Sequence, residues 1–97
     1  MSKIHSDEVV ILEAVRTAFG RRGGALRETR PDTMLAAALK ALISRSDLPS
    51  NRVGDVLAGC VSQAGEQGGN IARQALLVAG FPETVPGVSM NRMCGSS

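Results

Sequence analysis

A chain of 97 residues allows one small domain at most, burying only roughly 60–65% of its unfolded surface. Hydrophobic residues make up 43% and charged residues 21%, with no apolar run near membrane-spanning length, which disfavours both intrinsic disorder and a transmembrane helix. With two Phe, no Tyr, no Trp and a net charge of +2, the sequence argues against base-stacking modules and predicts neither nucleic acid nor membrane as a partner.

Beyond a polar start, residues 9–15 form a β-branched, mostly apolar run without helical spacing, which predicts a first strand buried on both faces. Residues 16–30 carry Gly20, Gly23 and Gly24 together with Arg16, Arg21, Arg22, Arg27 and Arg30, beside only Glu28. No periodicity runs through them, so they read as a long solvated loop, with a phosphate-attracting patch as the alternative. Pro31, Asp32 and Thr33 supply helix-start chemistry. Met34, Leu35, Ala38, Leu39, Leu42 and Ile43 then share one stripe, predicting a helix over about residues 33–45. Asp47, Pro49, Ser50 and Asn51 turn the chain.

Residues 53–61 read as a second strand. The glycine-rich stretch 65–70 leads into a second helix over residues 71–79, with Asn70 as its N-cap and Gly80 at the C′ position. Residues 81–86, with two prolines, form a connection, and residues 87–93 are the third strand by elimination. The order β-α-β-α-β predicts an α/β fold with a three-stranded parallel sheet, and right-handed crossovers place both helices on one face. Strands apolar on both sides need a second cover. Residues 1–97 are therefore expected to be an incomplete part of a larger domain, or to have that face covered by a partner.

Cys94 is the sharpest candidate for chemistry. It follows a predicted strand and precedes Gly95-Ser96-Ser97, small residues that permit a tight turn into a helix N-terminus, where the helix dipole and free N–H groups would favour a thiolate. The plainer alternative is a buried structural thiol. Cys60, inside the second strand, reads as a core residue, and His5, the only histidine, lies in the polar tail without a catalytic setting. Neither cysteine belongs to a C-x-x-C pair, so no metal site is expected, and neither glycine-rich loop has phosphate-binding spacing. Two cysteines are too few for a disulfide framework, and the polar N-terminus is no signal sequence, so a cytoplasmic location is expected.

Asn91-Arg92-Met93-Cys94-Gly95-Ser96-Ser97 resembles the nucleophile motif of the thiolase family. The likeness continues in Glu13-Ala14-Val15-Arg16-Thr17-Ala18-Phe19-Gly20, Val56-Leu57-Ala58-Gly59-Cys60-Val61, Gly65-Glu66-Gln67, Asn70-Ile71-Ala72-Arg73-Gln74 and Gly80-Phe81-Pro82-Glu83, all in the family's order. It departs from many thiolases at Ala18, where they have Pro, at Ser97, where they have Gly, and in the longer segment holding Gly68-Gly69.

The resemblance implies the first part of the thiolase N-terminal domain, of αβαβα architecture, with strands in the order 3-2-1. It implies an acyltransferase of fatty acid metabolism in which Cys94 forms an acyl thioester and acetyl-CoA, CoA and acyl-CoA are the substrates, with no bound cofactor. It further implies that the activating histidine and a second, acid/base cysteine lie in a C-terminal half. A homodimer or homotetramer, with residues 85–93 near a subunit contact, is implied as well. Other readings are a non-catalytic α/β interaction module and a ketoacyl-synthase-type enzyme of the same superfamily. The Gly-Glu-Gln form points to fatty-acyl or steroid-side-chain thioesters.

Overall fold

The computed structural model describes residues 7–96, so His5 and Ser97 lie outside the described residues. Its elements are helix α1 (Pro31–Ser46), strand β1 (Val56–Gly59), helix α2 (Ile71–Val78) and strand β2 (Gly87–Met90), with short 3₁₀ turns at Ser50–Arg52, Gly65–Gln67 and Met93–Gly95. The two strands pair in parallel, with Val56 opposite Gly87 and Gly59 opposite Met90. Backbone bonds from Val56 N–H to Pro86 O (3.0 Å) and from Cys60 N–H to Met90 O (2.8 Å) extend the pairing past both ends.

Local chemistry explains the helix ends. Pro31 occupies the first turn of α1, where its missing N–H costs nothing, and Asp32 lies in the same turn, favoured by the helix dipole. Helix α2 ends in a Schellman motif. Phe81 N–H donates to Leu76 O and Gly80 N–H to Leu77 O, both at 3.0 Å, with Gly80 at φ 85°. Phe81 and Leu76 then meet in the core, the apolar contact that accompanies such a stop.

The core lies on one face of the sheet. Val56 and Ala58 of β1 point into it, along with Cys60, while Ile71, Ala72 and Leu76 of α2 cover them and Phe81 and Val85 close the end. Helix α1 packs on α2, and its Leu35, Leu39 and Ile43 reach the same cluster, so both helices serve one side as expected. On the opposite face Leu57 and Val88 stay exposed.

The expected first strand, residues 9–15, does not form, and the sheet has two strands rather than three among the described residues. Val9 is 97% exposed and Ile11 89%. The physical reason is non-local. A third strand apolar on both faces needs layers on both sides, and these residues supply cover on one only. Ile11 and Leu12 instead line an open apolar groove with Leu39, Ile43, Val56 and Leu57. The other two strands are also shorter than residues 53–61 and 87–93, and β2 stops where the chain enters a tight turn at Asn91.

Leu76 is fully buried, so Leu76→Ala should destabilise the fold by about 2–5 kcal/mol in urea denaturation, whereas the exposed Leu57→Ala should cost no more than about 0.5 kcal/mol. Equal losses would contradict a single core on the helix-covered face.

Candidate active site

Helix α2 begins at a polar clamp. Asn70, at φ 71°, is the N-cap, and its Oδ1 accepts from Arg73 N–H at 3.2 Å. The same oxygen accepts from the Ser89 hydroxyl at 3.1 Å, and Asn70 Nδ2 donates to Gly87 O at 2.8 Å. Ser89 Oγ in turn accepts from Ala72 N–H at 3.5 Å, so two orphan donors of the first helical turn find partners, one of them on β2. Arg73 Nη1 donates to Glu83 O at 2.9 Å and Val85 O at 2.8 Å, which fixes the connection leading into β2. Close approach is possible because position 87 is glycine: a Cβ there would lie 2.9 Å from Leu76 Cδ2.

Strand β2 delivers the chain directly to the cysteine. Beyond Met90, the Asn91 side chain accepts from Met93 N–H at 2.8 Å, an Asx-type turn. Met93 has φ 52°, in the left-handed region that a non-glycine residue rarely adopts. Gly95 N–H then donates to Arg92 O (3.0 Å) and Ser96 N–H to Met93 O (3.4 Å). Cys94 sits exposed at the crest of this turn, and its own N–H takes no part in these bonds.

Cys60 contrasts with it. Cys60 is buried in the core at the end of β1, as its strand position predicts, with Sγ 3.6 Å from both Ser62 O and Gln67 Oε1. The arginine-rich stretch is a loop of turns, in which Arg30 pairs with Asp32 (3.2 Å) and Glu66 (3.3 Å). The Arg30–Glu66 pair, exposed on both sides, contributes little stability. Arg16 lies 5.5 Å from the centroid of the Phe19 ring. Among the described residues no three His, Cys, Asp or Glu side chains gather as a metal site, and no helix is long and apolar enough to cross a membrane.

The sequence marks Cys94 and the Asn70 cap but not Ser89 or Asn91. Asn91, two residues before Met93, carries the Asx-turn signal that could have revealed it. Ser89, seventeen positions from Ala72, carries no local signal for its bond to the helix.

The thiolase N-terminal domain family matches residues 9–97. A steroid 3-ketoacyl-CoA thiolase of Mycobacterium tuberculosis is 51% identical over 90 residues, covering 93% of this chain and 22% of that protein. A beta-ketoadipyl-CoA thiolase of Pseudomonas aeruginosa is 50% identical over 92 residues, 94% of this chain and 23% of that one. The crystal structure of an acetyl-CoA acetyltransferase from Bacillus anthracis superposes with a TM-score of 0.83 at 37% identity, covering 90% of this chain and 22% of that structure. The chain thus spans about a quarter of the length of these relatives.

The difference in exposure has a direct readout. Iodoacetamide should alkylate Cys94 of the native chain about tenfold or more faster than Cys60, measured by peptide mass spectrometry, and the two rates should converge in guanidinium. Faster labelling of Cys60 in the native chain would contradict the arrangement.

Proposed function

The chain belongs to the thiolase family, through the N-terminal domain that residues 9–97 match, and on that premise we propose that it is the N-terminal part of a thiolase subunit with Cys94 as the nucleophile. The observation that carries this reading is the exposed placement of Cys94 on a constrained turn at the end of β2. A thiol presented there can reach a substrate, while the buried Cys60 cannot without opening the core.

The chemistry is acyl transfer between thiols. The Cys94 thiolate attacks the 3-keto carbon of a 3-ketoacyl-CoA, and the bond between C2 and C3 breaks. The acyl group stays on Sγ as a thioester, and the departing acetyl-CoA carbanion takes up a proton. The thiol of a second CoA, giving up its proton, then attacks the thioester carbonyl, and acyl-CoA leaves as the Cys94 thiolate is regenerated. The reverse direction is a Claisen condensation. Oxyanions form in the thiolysis, and the Cys94 N–H, left out of the turn's own bonds, is a suitable donor to the one on the acyl-enzyme. A histidine and a second cysteine from the remainder of the subunit handle the protons, and the whole subunit acts as a homodimer or homotetramer.

The names of the relatives bear on substrate class. Thiolases of steroid and beta-ketoadipyl thioesters are both about half identical to this chain, which supports a 3-ketoacyl-CoA substrate. Catalysis in the cytoplasm, without a resident cofactor, completes the reading.

In the complete subunit, Cys94→Ser should abolish covalent acylation by acetyl-CoA, because a serine hydroxyl is not ionised under the same conditions, while Cys60→Ser should leave acylation largely intact. Loss of acetoacetyl-CoA enolate absorbance measures turnover by both variants and by the 97-residue chain, which alone should show none. Turnover that survives Cys94→Ser would contradict the assignment.

A further inference from the structure

Met93 is held in an uncommon backbone conformation by one side chain. Asn91 Oδ1 takes the Met93 N–H at 2.8 Å, and Asn91 Nδ2 reaches across to Val61 O, just past β1, at 3.4 Å. One residue therefore ties the exits of both strands to the turn that carries Cys94. The other side of the turn is held by contact: a Cβ on Gly59 would lie 2.6 Å from Ser96 O and 2.8 Å from Ser96 Cβ, so the turn rests directly on β1. Met93 itself is 68% exposed, so burial of its side chain does not account for the left-handed φ of 52°. A conformation of this kind persists only where its surroundings impose it, and it clusters at functional sites.

Resting on the reading of Cys94 as nucleophile, we propose that Asn91 is a positioning residue for that reaction: it pins Met93 in the left-handed region and thereby sets the direction of the Cys94 thiol and N–H. Cys94 follows Met93 immediately, so relaxing the Met93 dihedrals to an ordinary region swings Sγ and the backbone donor together. The acylation step needs both at one carbonyl, and a displacement of about 1 Å is enough to slow such a step roughly 100-fold. Gly59 supports the same turn from beneath but does not fix its dihedrals.

The test uses the complete subunit and single-turnover acylation by acetyl-CoA, read by intact mass, beside steady-state kinetics and thermal melting. Asn91→Ala should fold, and its acylation rate and kcat should fall about 10- to 100-fold with little change in KM. Adding Met93→Gly should recover part of that loss, because glycine adopts positive φ without help. A side chain needed only for stability would not be rescued by a second, more flexible residue. Should Asn91→Ala fail to fold, Asn91→Ser, whose hydroxyl holds the Met93 N–H more weakly, should show a smaller loss that Met93→Gly also reduces. Wild-type acylation by a folded Asn91→Ala, or by Asn91→Ser where Asn91→Ala does not fold, overturns the proposal, as does a double variant slower than its Asn91 single variant. Failure of the thiolase reading itself would show differently, as acylation that persists in Cys94→Ser.

Discussion

The side-chain oxygen of Asn70 is where this fold closes. It accepts from Arg73 N–H and from the Ser89 hydroxyl, while the amide nitrogen of the same residue donates to Gly87 O. An N-cap contributes about 1 kcal/mol and each further bond about as much again, so one residue accounts for a sizeable share of a small domain's margin. More important is what the bonds connect. A parallel pair of four-residue strands has little hold of its own, and the clamp fastens β2 to a helix already anchored in the core by Ile71, Ala72 and Leu76.

The turn that carries Cys94 inherits this hold. Cys94 stands four residues past the end of β2, and everything between them is turn. The turn has no buried side chain. Its position comes instead from polar ties and close approach: Asn91 to Met93 and Val61, and Ser96 over Gly59. The Cys94 thiol thus remains exposed while the backbone beneath it is constrained, an arrangement that would suit the acyl transfer proposed for it. Cys60 contrasts with it: one residue past the end of β1, it is packed into the core cluster.

Much of this was legible in the sequence wherever the determinants are local. Asn70 before an apolar stripe and Gly80 after it mark both ends of α2, and the structure honours each with a specific bond pattern. Pro31 and Asp32 mark the start of α1 to within two residues. Residues 9–15 were not legible as they stand, because their strand-like composition records a fit to two covering layers rather than a local preference. Cys94 stood out through its neighbours and the resemblance they carry. Ser89 and the left-handed Met93 were hidden for a common reason: a strand serine and a methionine have no sequence signature for bonds or dihedrals imposed from elsewhere in the fold.

Amide hydrogen exchange on Asn70→Ala, compared with the unaltered chain, tests the central role of the clamp most directly. Protection should fall together in the first turn of α2 and along Val88, Ser89 and Met90, with the C-terminal end of α2 less affected. Loss confined to the helix, with β2 protected as before, would contradict that role.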